Sequence, residues 1–346
     1  MFRDTCRRPR AALPAQAAPP PGPGIPAIRA IGLRKGYPGI EAVRGIDLTV
    51  GQGELFGFLG PNGCGKTTTI AMLCTLARPS EGLIEIAGYD TMADPGAVRR
   101  QLGLVFQEST LDGDLTAREN LRFHADLYGL PRAMVPARIA EMLDLAGLTD
   151  RRDSLVRTFS GGMRRRLEIA RGLLHRPRVL FLDEPTLGLD PEARARVWGH
   201  LHEVRERETL TVFLTTHYLD EAEQCDRIAI VSEGRVVAQG TPGELKSVIG
   251  ADRVVLRTGD DPAAARDLRE RFGLDPVGGP DGVTVTAEDG ARLAPRLCAG
   301  LDVPVYAVTV IRPSLDDVFL HHTGHRIRDD PAPGPPALTA PTGGRG

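Results

Sequence analysis

The sequence predicts an α/β fold built around a mostly parallel sheet, followed by a smaller α/β unit. Short runs rich in Val, Ile, Leu and Phe, such as ELFGFLG, LGLVFQ, VLFLDEP and TVFLTTH, have the length and composition of buried strands. Segments with helical periodicity separate these runs. A glycine-rich stretch, GPNGCGKTT, follows the first run and precedes a helical pattern, which is a typical α/β arrangement.

Length, composition and charge limit the classes of function. The chain has 346 residues, a formal net charge of -2 and 41% apolar residues, which argues against a polycation that binds nucleic acid. Its five cysteines are scattered without C-x-x-C spacing, which favours a reducing compartment over disulfides or zinc. No apolar run approaches the roughly 20 residues of a membrane-spanning helix. We therefore expect another polypeptide to supply any membrane channel.

Changes in composition and in hydrophobic pattern divide the chain into four segments. Residues 1–26 and 324–346 are rich in Pro, Ala and Gly and are predicted to be disordered. Residues 27–250 carry the main α/β pattern, within which residues from about 112 to 172 lack strand signals and are predicted to be helical. Residues 251–323 alternate strand-like and helix-like segments, and are predicted to form a small α/β domain. Its last helix is predicted to begin at Ser314, with Asp317 completing the cap.

The stretch from Gly60 to Thr68 matches the phosphate-loop pattern G-x-x-x-x-G-K-[ST]. Glycines allow backbone N–H groups to curl around phosphate oxygens. Lys66 is predicted to neutralise the β and γ oxygens, and the Thr67 hydroxyl to bind Mg²⁺. Strand, loop, lysine and helix stand in the required order, which predicts a P-loop NTPase. The predicted nucleotide contacts in this stretch are Gly60, Pro61, Asn62, Gly63, Cys64, Gly65, Lys66, Thr67 and Thr68.

The run VLFLDEP supplies a second part of the same predicted site. Four apolar residues are followed by Asp183 and Glu184, and open α/β sheets bind ligands at the carboxyl ends of their strands. Asp183 suits a water-mediated Mg²⁺ contact, and Glu184 suits a general base that polarises the attacking water. The two motifs together predict an ATPase or a GTPase.

Six elements in this order resemble the ATP-binding-cassette (ABC) ATPases: the phosphate loop, VFQ, SGG, LFLDEP, GLDP and TTH. The resemblance spans about residues 28 to 249. It implies that Ser160, Gly161 and Gly162 form the signature motif, which binds the γ-phosphate of ATP held by a second copy. Phe159 and Met163 depart from the family's common Leu and Gln. The three arginines that follow are expected to serve a nucleotide or a domain interface, with at least one of them solvated.

The resemblance also implies roles for four further residues. Tyr37 corresponds to the aromatic residue that stacks on adenine, and Gln107 to the glutamine that contacts Mg²⁺ and senses the transmembrane partner. Asp190 corresponds to the residue that couples the two sites. His217 corresponds to the histidine that contacts the γ-phosphate. Lys66, Glu184 and His217 are thus the predicted catalytic residues, and Thr67, Gln107 and Asp183 the predicted metal contacts.

A narrower resemblance links FSGGMRRRLEIARGLLHRP and VIRPSLDDVFLHHTG to the daunorubicin/doxorubicin-resistance group of ABC exporter ATPases. It implies an ATP-hydrolysing subunit that uses Mg²⁺ and lies peripherally at the cytoplasmic face of the membrane. Expected partners are ATP, a second copy of the ATPase and a separate membrane permease. A homodimer is the simplest arrangement, and a heterodimer stays open.

Two alternatives stay open at this point. Related cassettes export lipids, ions, peptides or glycans with nearly the same motifs, so the substrate is undetermined although a drug is favoured. A soluble ABC ATPase of DNA repair or translation is the second alternative. Such proteins carry long coiled-coil insertions or two cassettes in one chain, and this sequence has neither.

Overall fold

The computed structural model describes residues 24–207, 210–280 and 282–325. The predicted disordered ends fall almost entirely outside the described residues. Contacts between residues divide the chain into two compact units. Of the described residues, the first unit comprises those of 24–218 together with 231–236, and the second comprises those of 219–230 and 237–325.

The first unit contains strands and helices in alternation. Its strands are β1 (Ile28–Tyr37), β2 (Ile40–Val50), β3 (Leu55–Leu59), β4 (Glu81–Ile86), β5 (Tyr89–Asp90), β6 (Leu102–Val105), β7 (Val179–Asp183) and β8 (Thr211–Thr216). Its helices are α1 (Lys66–Leu73), α2 (Pro95–Gln101), α3 (Ala117–Leu127), α4 (Val135–Leu145), α5 (Gly161–Leu173) and α6 (Pro191–Arg207). Two short 3-10 turns, Thr149–Arg151 and Val156–Thr158, connect α4 to α5.

A parallel sheet forms the centre of this unit. Its strands lie in the order β3-β8-β7-β6, and each neighbouring pair is parallel. Strands β3, β7 and β8 are buried along their whole length, which explains why each one is an unbroken apolar run. The predicted parallel α/β fold is therefore confirmed. Because parallel strands end at the same edge, the residues that follow β3, β7 and β8 meet there.

A second sheet in this unit is antiparallel, with the order β2-β1-β4-β5, and the sequence analysis did not predict it. Its strands β1 and β2 form a hairpin in which Tyr37 pairs with Ile40. Gly39 lies in the turn with a φ of 80°, a conformation that favours glycine. Between residues 112 and 172 the described elements are helices and short turns.

The second unit ends in a compact α/β sandwich built on the strands between residues 252 and 311. The elements after residue 218 are α7 (Leu219–Ala222), β9 (Arg227–Ser232), β10 (Arg235–Gly240), α8 (Pro242–Ile249), β11 (Asp252–Thr258), α9 (Asp261–Phe272), β12 (Val277–Gly279), β13 (Gly282–Ala287), α10 (Gly290–Gly300), β14 (Val305–Ile311) and α11 (Leu315–Thr323). Strands β9 and β10 lie across the division, since residues 231–236 belong to the first unit. The antiparallel order β12-β13-β11-β14 has a core that includes Val254, Leu256, Leu268 and Leu297.

The predicted cap of the last helix is confirmed. The Ser314 hydroxyl accepts a hydrogen bond from the Asp317 N–H at 3.2 Å, and the Asp317 carboxylate accepts one from the Ser314 N–H at 2.9 Å. These two bonds satisfy two backbone donors that a helix start otherwise leaves unpaired. Within the described ranges, none of the helices combines the length and apolar character that a membrane crossing requires.

Candidate active site

The loop between β3 and α1 is tightly wrapped, and two of its positions require glycine. A Cβ atom at Gly60 would lie 2.5 Å from the carbonyl oxygen of Val231, and one at Gly65 would lie 2.5 Å from that of Ala42. Gly65 also has a φ of 103° where it caps α1. Side chains at either position would collide with backbone, so the loop can adopt this curl only with glycine there.

Lys66 begins α1 and turns its ammonium group back towards the loop. Its Nζ donates to the carbonyl oxygens of Gly60 at 2.7 Å and Pro61 at 2.9 Å. The side chain is only 5% exposed, and Nζ also lies 3.4 Å from Oε1 of Glu184. The positive charge is therefore fixed inside the glycine-rich loop, where a nucleotide phosphate would meet it.

The two carboxylates at the end of β7 are organised by Thr215 on the neighbouring strand. The register places Thr215 beside Asp183. The Thr215 hydroxyl donates to Asp183 Oδ1 at 2.6 Å and accepts from the Glu184 N–H at 3.1 Å. The sequence motifs by themselves assign no role to Thr215. Its position in TTH, at the end of an adjacent parallel strand, was the available signal.

The environment moves the pKa values of these adjacent carboxyl groups in opposite directions. Burial raises the pKa of Asp183, and the hydrogen bond from Thr215 offsets only part of that effect. Burial also acts to raise the pKa of Glu184, but the neighbouring imidazole of His217 and the charge of Lys66 outweigh it, so the pKa is lowered. Glu184 therefore stays ionised at neutral pH, as a proton acceptor must.

His217 completes the group from the end of β8. Its Nδ1 lies 3.3 Å from the same Oε1 atom of Glu184 that faces Lys66. A quarter of the His217 side chain is exposed, whereas Glu184 is almost completely buried. The structure thus brings together residues that follow three strands, β3, β7 and β8. The carboxylate of Glu184 lies between the ammonium group of Lys66 and the imidazole of His217.

The residues expected to contact Mg²⁺ supply oxygen atoms suited to that ion. Thr67 is exposed at the start of α1, and its side chain hydrogen-bonds Asp183. Asp183 is a buried carboxylate with a raised pKa, so a nearby cation would favour its ionised form. The described residues contain no cluster of three His, Cys, Asp or Glu side chains that could hold a metal ion by itself. A hydroxyl, a carboxylate and nucleotide oxygens are the donor set that fits Mg²⁺ here.

The predicted signature residues form the start of α5. Ser160 is the N-cap, and its hydroxyl accepts from the Met163 N–H at 3.3 Å. Ser160 and Gly161 are exposed, whereas Gly162 is buried and a Cβ there would lie 3.0 Å from Cβ of Ala193. The exposed part of this helix start is accessible to another molecule.

The three arginines that follow the signature have different environments. Arg164 is exposed. Arg165 is 6% exposed and donates to backbone carbonyl oxygens, including those of Phe106 and Pro185. Arg166 is half-buried, and its guanidinium donates to the carbonyl oxygen of Ala146. Arg165 and Arg166 therefore bind this chain's own backbone, and only Arg164 matches the expectation of a solvated residue.

The remaining predicted residues lie around the cluster. Tyr37 ends β1 with 48% of its surface exposed. Gln107 is exposed two residues beyond β6, the strand that pairs with β7. Asp190 is exposed, and its Oδ1 accepts from the Ala193 N–H at 2.8 Å at the start of α6. In the phosphate loop Asn62 and Gly63 are exposed, Pro61 and Cys64 are buried, and Thr68 is half-buried.

Comparison with known proteins decides the family. The ABC transporter family model matches residues 43–187. The chain is 44% identical over 311 residues to the daunorubicin/doxorubicin resistance ATP-binding protein DrrA of Streptomyces peucetius, covering 88% of this chain and 94% of that protein. The chain belongs to the ABC transporter ATP-binding subunits. Other relatives of this ABC subunit include the Nod factor export ATP-binding protein I of Ralstonia nicotianae, 39% identical over 90% of this chain and 98% of that protein.

A solved structure supports the same assignment. The dimeric, post-hydrolysis structure of an ATP-binding cassette bound to ADP and Pi has a TM-score of 0.56 and 27% identity, covering 62% of this chain and 98% of that one. As an ABC subunit, the chain is an ATPase that works with a second cassette and a separate membrane permease. The relatives give no support to a soluble ATPase of DNA repair or translation.

Proposed function

We propose that this ABC subunit cleaves ATP with Glu184 as general base, His217 as γ-phosphate contact and Lys66 as the neutralising charge. The observation that carries this proposal is the position of Glu184 Oε1, 3.4 Å from Lys66 Nζ and 3.3 Å from His217 Nδ1. Both partners of Glu184 are groups that bind phosphate oxygens. When the γ-phosphate attracts them, the carboxylate becomes available to polarise a water molecule.

Other residues position the nucleotide and its ion. The N–H groups of the phosphate loop bind the phosphates, and Tyr37 offers its exposed ring to the adenine. Thr67, Asp183 and Gln107 would hold Mg²⁺, which neutralises charge on the transferring phosphoryl group. The buried Asp183 carboxylate, with its raised pKa, supports this assignment because a cation would stabilise its ionised form.

The site is composite, formed by two chains. Ser160, Gly161 and Gly162 bind the γ-phosphate held by the partner, and Asp190 couples the two sites. The exposure of Ser160 and Gly161 supports this role, since the N-terminus of α5 is open to an anion from outside the chain. A homodimer is the simplest form of this assembly.

The permease is proposed to dock beside Gln107, at the cytoplasmic face of the membrane. Four exposed apolar side chains surround a groove there, which also includes Arg99 and Arg171. Exposed apolar groups of this kind mark surfaces that contact other proteins. The four are Leu76 (57% exposed), Phe106 (39%), Phe123 (65%) and Leu127 (68%).

The transported substrate is proposed to be an antibiotic-like drug. The match to the daunorubicin/doxorubicin resistance protein extends over 88% of this chain, beyond the residues of the nucleotide site. The Nod factor export relative, 39% identical over 320 residues, favours a Nod factor as the second candidate.

Co-expression with the permease tests the transport proposal. Cells with the pair should accumulate less of an anthracycline such as daunorubicin than cells in which the subunit carries Lys66→Ala. Equal accumulation in both strains, with both proteins found in the membrane fraction, would exclude anthracyclines. The same strains loaded with a Nod factor then test the second candidate.

A further inference from the structure

Arg165 connects two parts of the site that are far apart in sequence. Its guanidinium donates to the Phe106 carbonyl oxygen at 2.5 Å, immediately before Gln107. The same group donates to the carbonyl oxygens of Asp183 at 3.0 Å and Glu184 at 3.3 Å, and Nε donates to that of Pro185 at 2.6 Å. One buried side chain therefore holds both the start of the Gln107 loop and the backbone around Glu184.

Two further residues of α5 also bind the loop that contains Gln107 and Thr110. Glu168 pairs with Arg165 at 3.1 Å and accepts from the Thr110 N–H at 2.9 Å. Arg171 donates to the Thr110 carbonyl oxygen at 2.8 Å and also to the Thr110 hydroxyl. Residues 165, 168 and 171 are spaced three apart, so they lie along one side of the helix. The loop is thereby attached to α5 at two positions, Phe106 and Thr110.

The backbone of Glu184 needs such a hold. Its φ is 45°, in the left-handed region that residues with a Cβ adopt only at an energetic cost. Hydrogen bonds fix the residue from both sides: its N–H donates to Thr215, and its carbonyl oxygen accepts from Arg165 at 3.3 Å and from the Leu187 N–H at 3.2 Å. Loss of the Arg165 contacts would leave the carbonyl side of this strained residue less constrained.

We propose that Arg165 is a positioning residue that holds the Glu184 backbone and the Gln107 loop as one body with the signature helix. It acts through the backbone around Glu184 and Gln107 and not on ATP, because its donors are directed at backbone carbonyl oxygens and at the Glu168 carboxylate. This inference rests on the roles proposed above for Glu184 and Gln107. A planar guanidinium with five donors can reach several carbonyls at once, whereas a lysine ammonium cannot reproduce that fork.

Arg165→Lys is the main test variant, because it keeps a positive charge beside the buried Glu168 while losing the fork. The matched control is Arg29→Lys on a surface ion pair with Glu85. With the full-length chain, ATP and Mg²⁺, Arg165→Lys should lower kcat by about tenfold and change KM by less than about threefold. Arg165→Met should lower kcat further. The control should match the wild type in both constants.

Two further measurements separate positioning from general stability. In a Glu184→Gln background, Arg165→Lys should cause a clearly smaller fold-loss of kcat than in the wild type, since most of its effect passes through Glu184. Hydrogen exchange at the Thr110 amide should accelerate in Arg165→Lys, because Glu168 loses part of its anchor. Three results would each overturn the proposal. They are an unchanged exchange rate at the Thr110 amide, fold-losses of kcat that multiply fully in the double variant, and a rise in KM with unchanged kcat.

The same experiment distinguishes failure of the proposed function. If Glu184→Gln hydrolyses ATP at the wild-type rate, the general-base assignment is wrong, and the exchange rate at Thr110 alone decides whether Arg165 holds the loop. If Arg165→Met does not fold, Arg165→Lys and its melting temperature still decide the question. A full loss of kcat in Arg165→Lys accompanied by unfolding would contradict a specific positioning role.

Discussion

Glu184 Oε1 lies 3.4 Å from Lys66 Nζ, and both side chains are almost completely buried. This ion pair joins the phosphate loop to the end of β7. Lys66 also donates to two carbonyl oxygens of its own loop, so its charge is already engaged. A bound triphosphate would compete for that ammonium group and release Glu184.

Lys66→Ala should weaken ATP binding by at least about tenfold, because it removes a charge-assisted contact to the phosphates. It also removes the partner of Glu184, so the pKa of that carboxyl should rise. Titration with a fluorescent ATP analogue measures the affinity. Arg29→Lys serves as the control with an unaltered phosphate loop. Wild-type affinity in Lys66→Ala would contradict the placement of the phosphates beside this residue.

Glu184→Gln should bind ATP with unchanged affinity and hydrolyse it at least about 100-fold more slowly, since the amide cannot accept the proton of water. An uncleaved nucleotide should then hold two chains together. Size exclusion with ATP should show a dimer for this variant and a monomer for Lys66→Ala. Hydrolysis at the wild-type rate would show that Glu184 is not the general base.

Asp183→Asn should stabilise the nucleotide-free protein at neutral pH. Burial raises the pKa of Asp183 above its unfolded-state value, so ionisation lowers the folding stability once the pH exceeds that value. The melting temperature at pH 7 should therefore rise above that of the wild type. The gain should shrink as the pH falls towards about 4, where the unfolded-state carboxyl protonates.

The control for this experiment is Asp126→Asn, which removes an exposed carboxylate paired with Arg122. Its melting temperature should stay close to that of the wild type, because surface pairs contribute little. Addition of Mg²⁺ and ATP should raise the melting temperature of the wild type more than that of Asp183→Asn. A lower stability of Asp183→Asn at pH 7 would show that the carboxylate charge is favourable in the folded state.

Mixing two damaged chains tests the composite site. Ser160→Asp keeps a good N-cap on α5 and directs negative charge towards the partner's phosphate. A substitution at Gly162 would be a less specific test, because a Cβ there would lie 3.0 Å from Cβ of Ala193 and could disturb the helix. Each homodimer, of Ser160→Asp or Lys66→Ala, has both sites damaged. The heterodimer has one intact site, so mixing should restore part of the ATPase activity, at most about half per dimer.

Ser160→Asn is the matched control, because it keeps the cap without the charge. It should retain most of the wild-type activity. Proven heterodimers that recover no activity would contradict independent sites. Hydrolysis by a strictly monomeric wild-type chain would contradict a composite site altogether.

Thiol labelling tests the accessibility of the phosphate loop. Cys64 lies among backbone N–H groups beside Lys66, an environment that activates thiols, but it is only 4% exposed. N-ethylmaleimide should therefore modify the exposed Cys298 first without loss of activity. Slower modification of Cys64 should block ATP binding, and bound MgATP should prevent it. Cys64→Ala should resist inactivation, and equal inactivation of this variant would assign the effect to another cysteine.

Several features of the protein were predictable because they depend on consecutive residues. The phosphate loop, the carboxylates after β7 and the Ser314–Asp317 cap each lie within a short segment, where chain connectivity alone brings the groups together. The buried parallel strands were also predictable, since burial on both faces requires an unbroken apolar run. The roles of Gln107 and the signature residues came from a family resemblance and stay predictions.

Other features required the tertiary structure, because they join residues that are distant in sequence. Nothing local to Arg165 indicates that its side chain meets the backbone of Glu184, and the TTH motif places Thr215 at a strand end without showing which strand lies beside it. The antiparallel sheet was missed because β1 and β2 are buried only at some positions and so lack an unbroken apolar run. The pairing of β1 with β4 also joins segments that are distant in sequence. The sequence by itself determined the chemical groups of the site. Only the strand order and the packing of α5 decided their distances, because hydrogen bonds between remote segments depend on the whole fold.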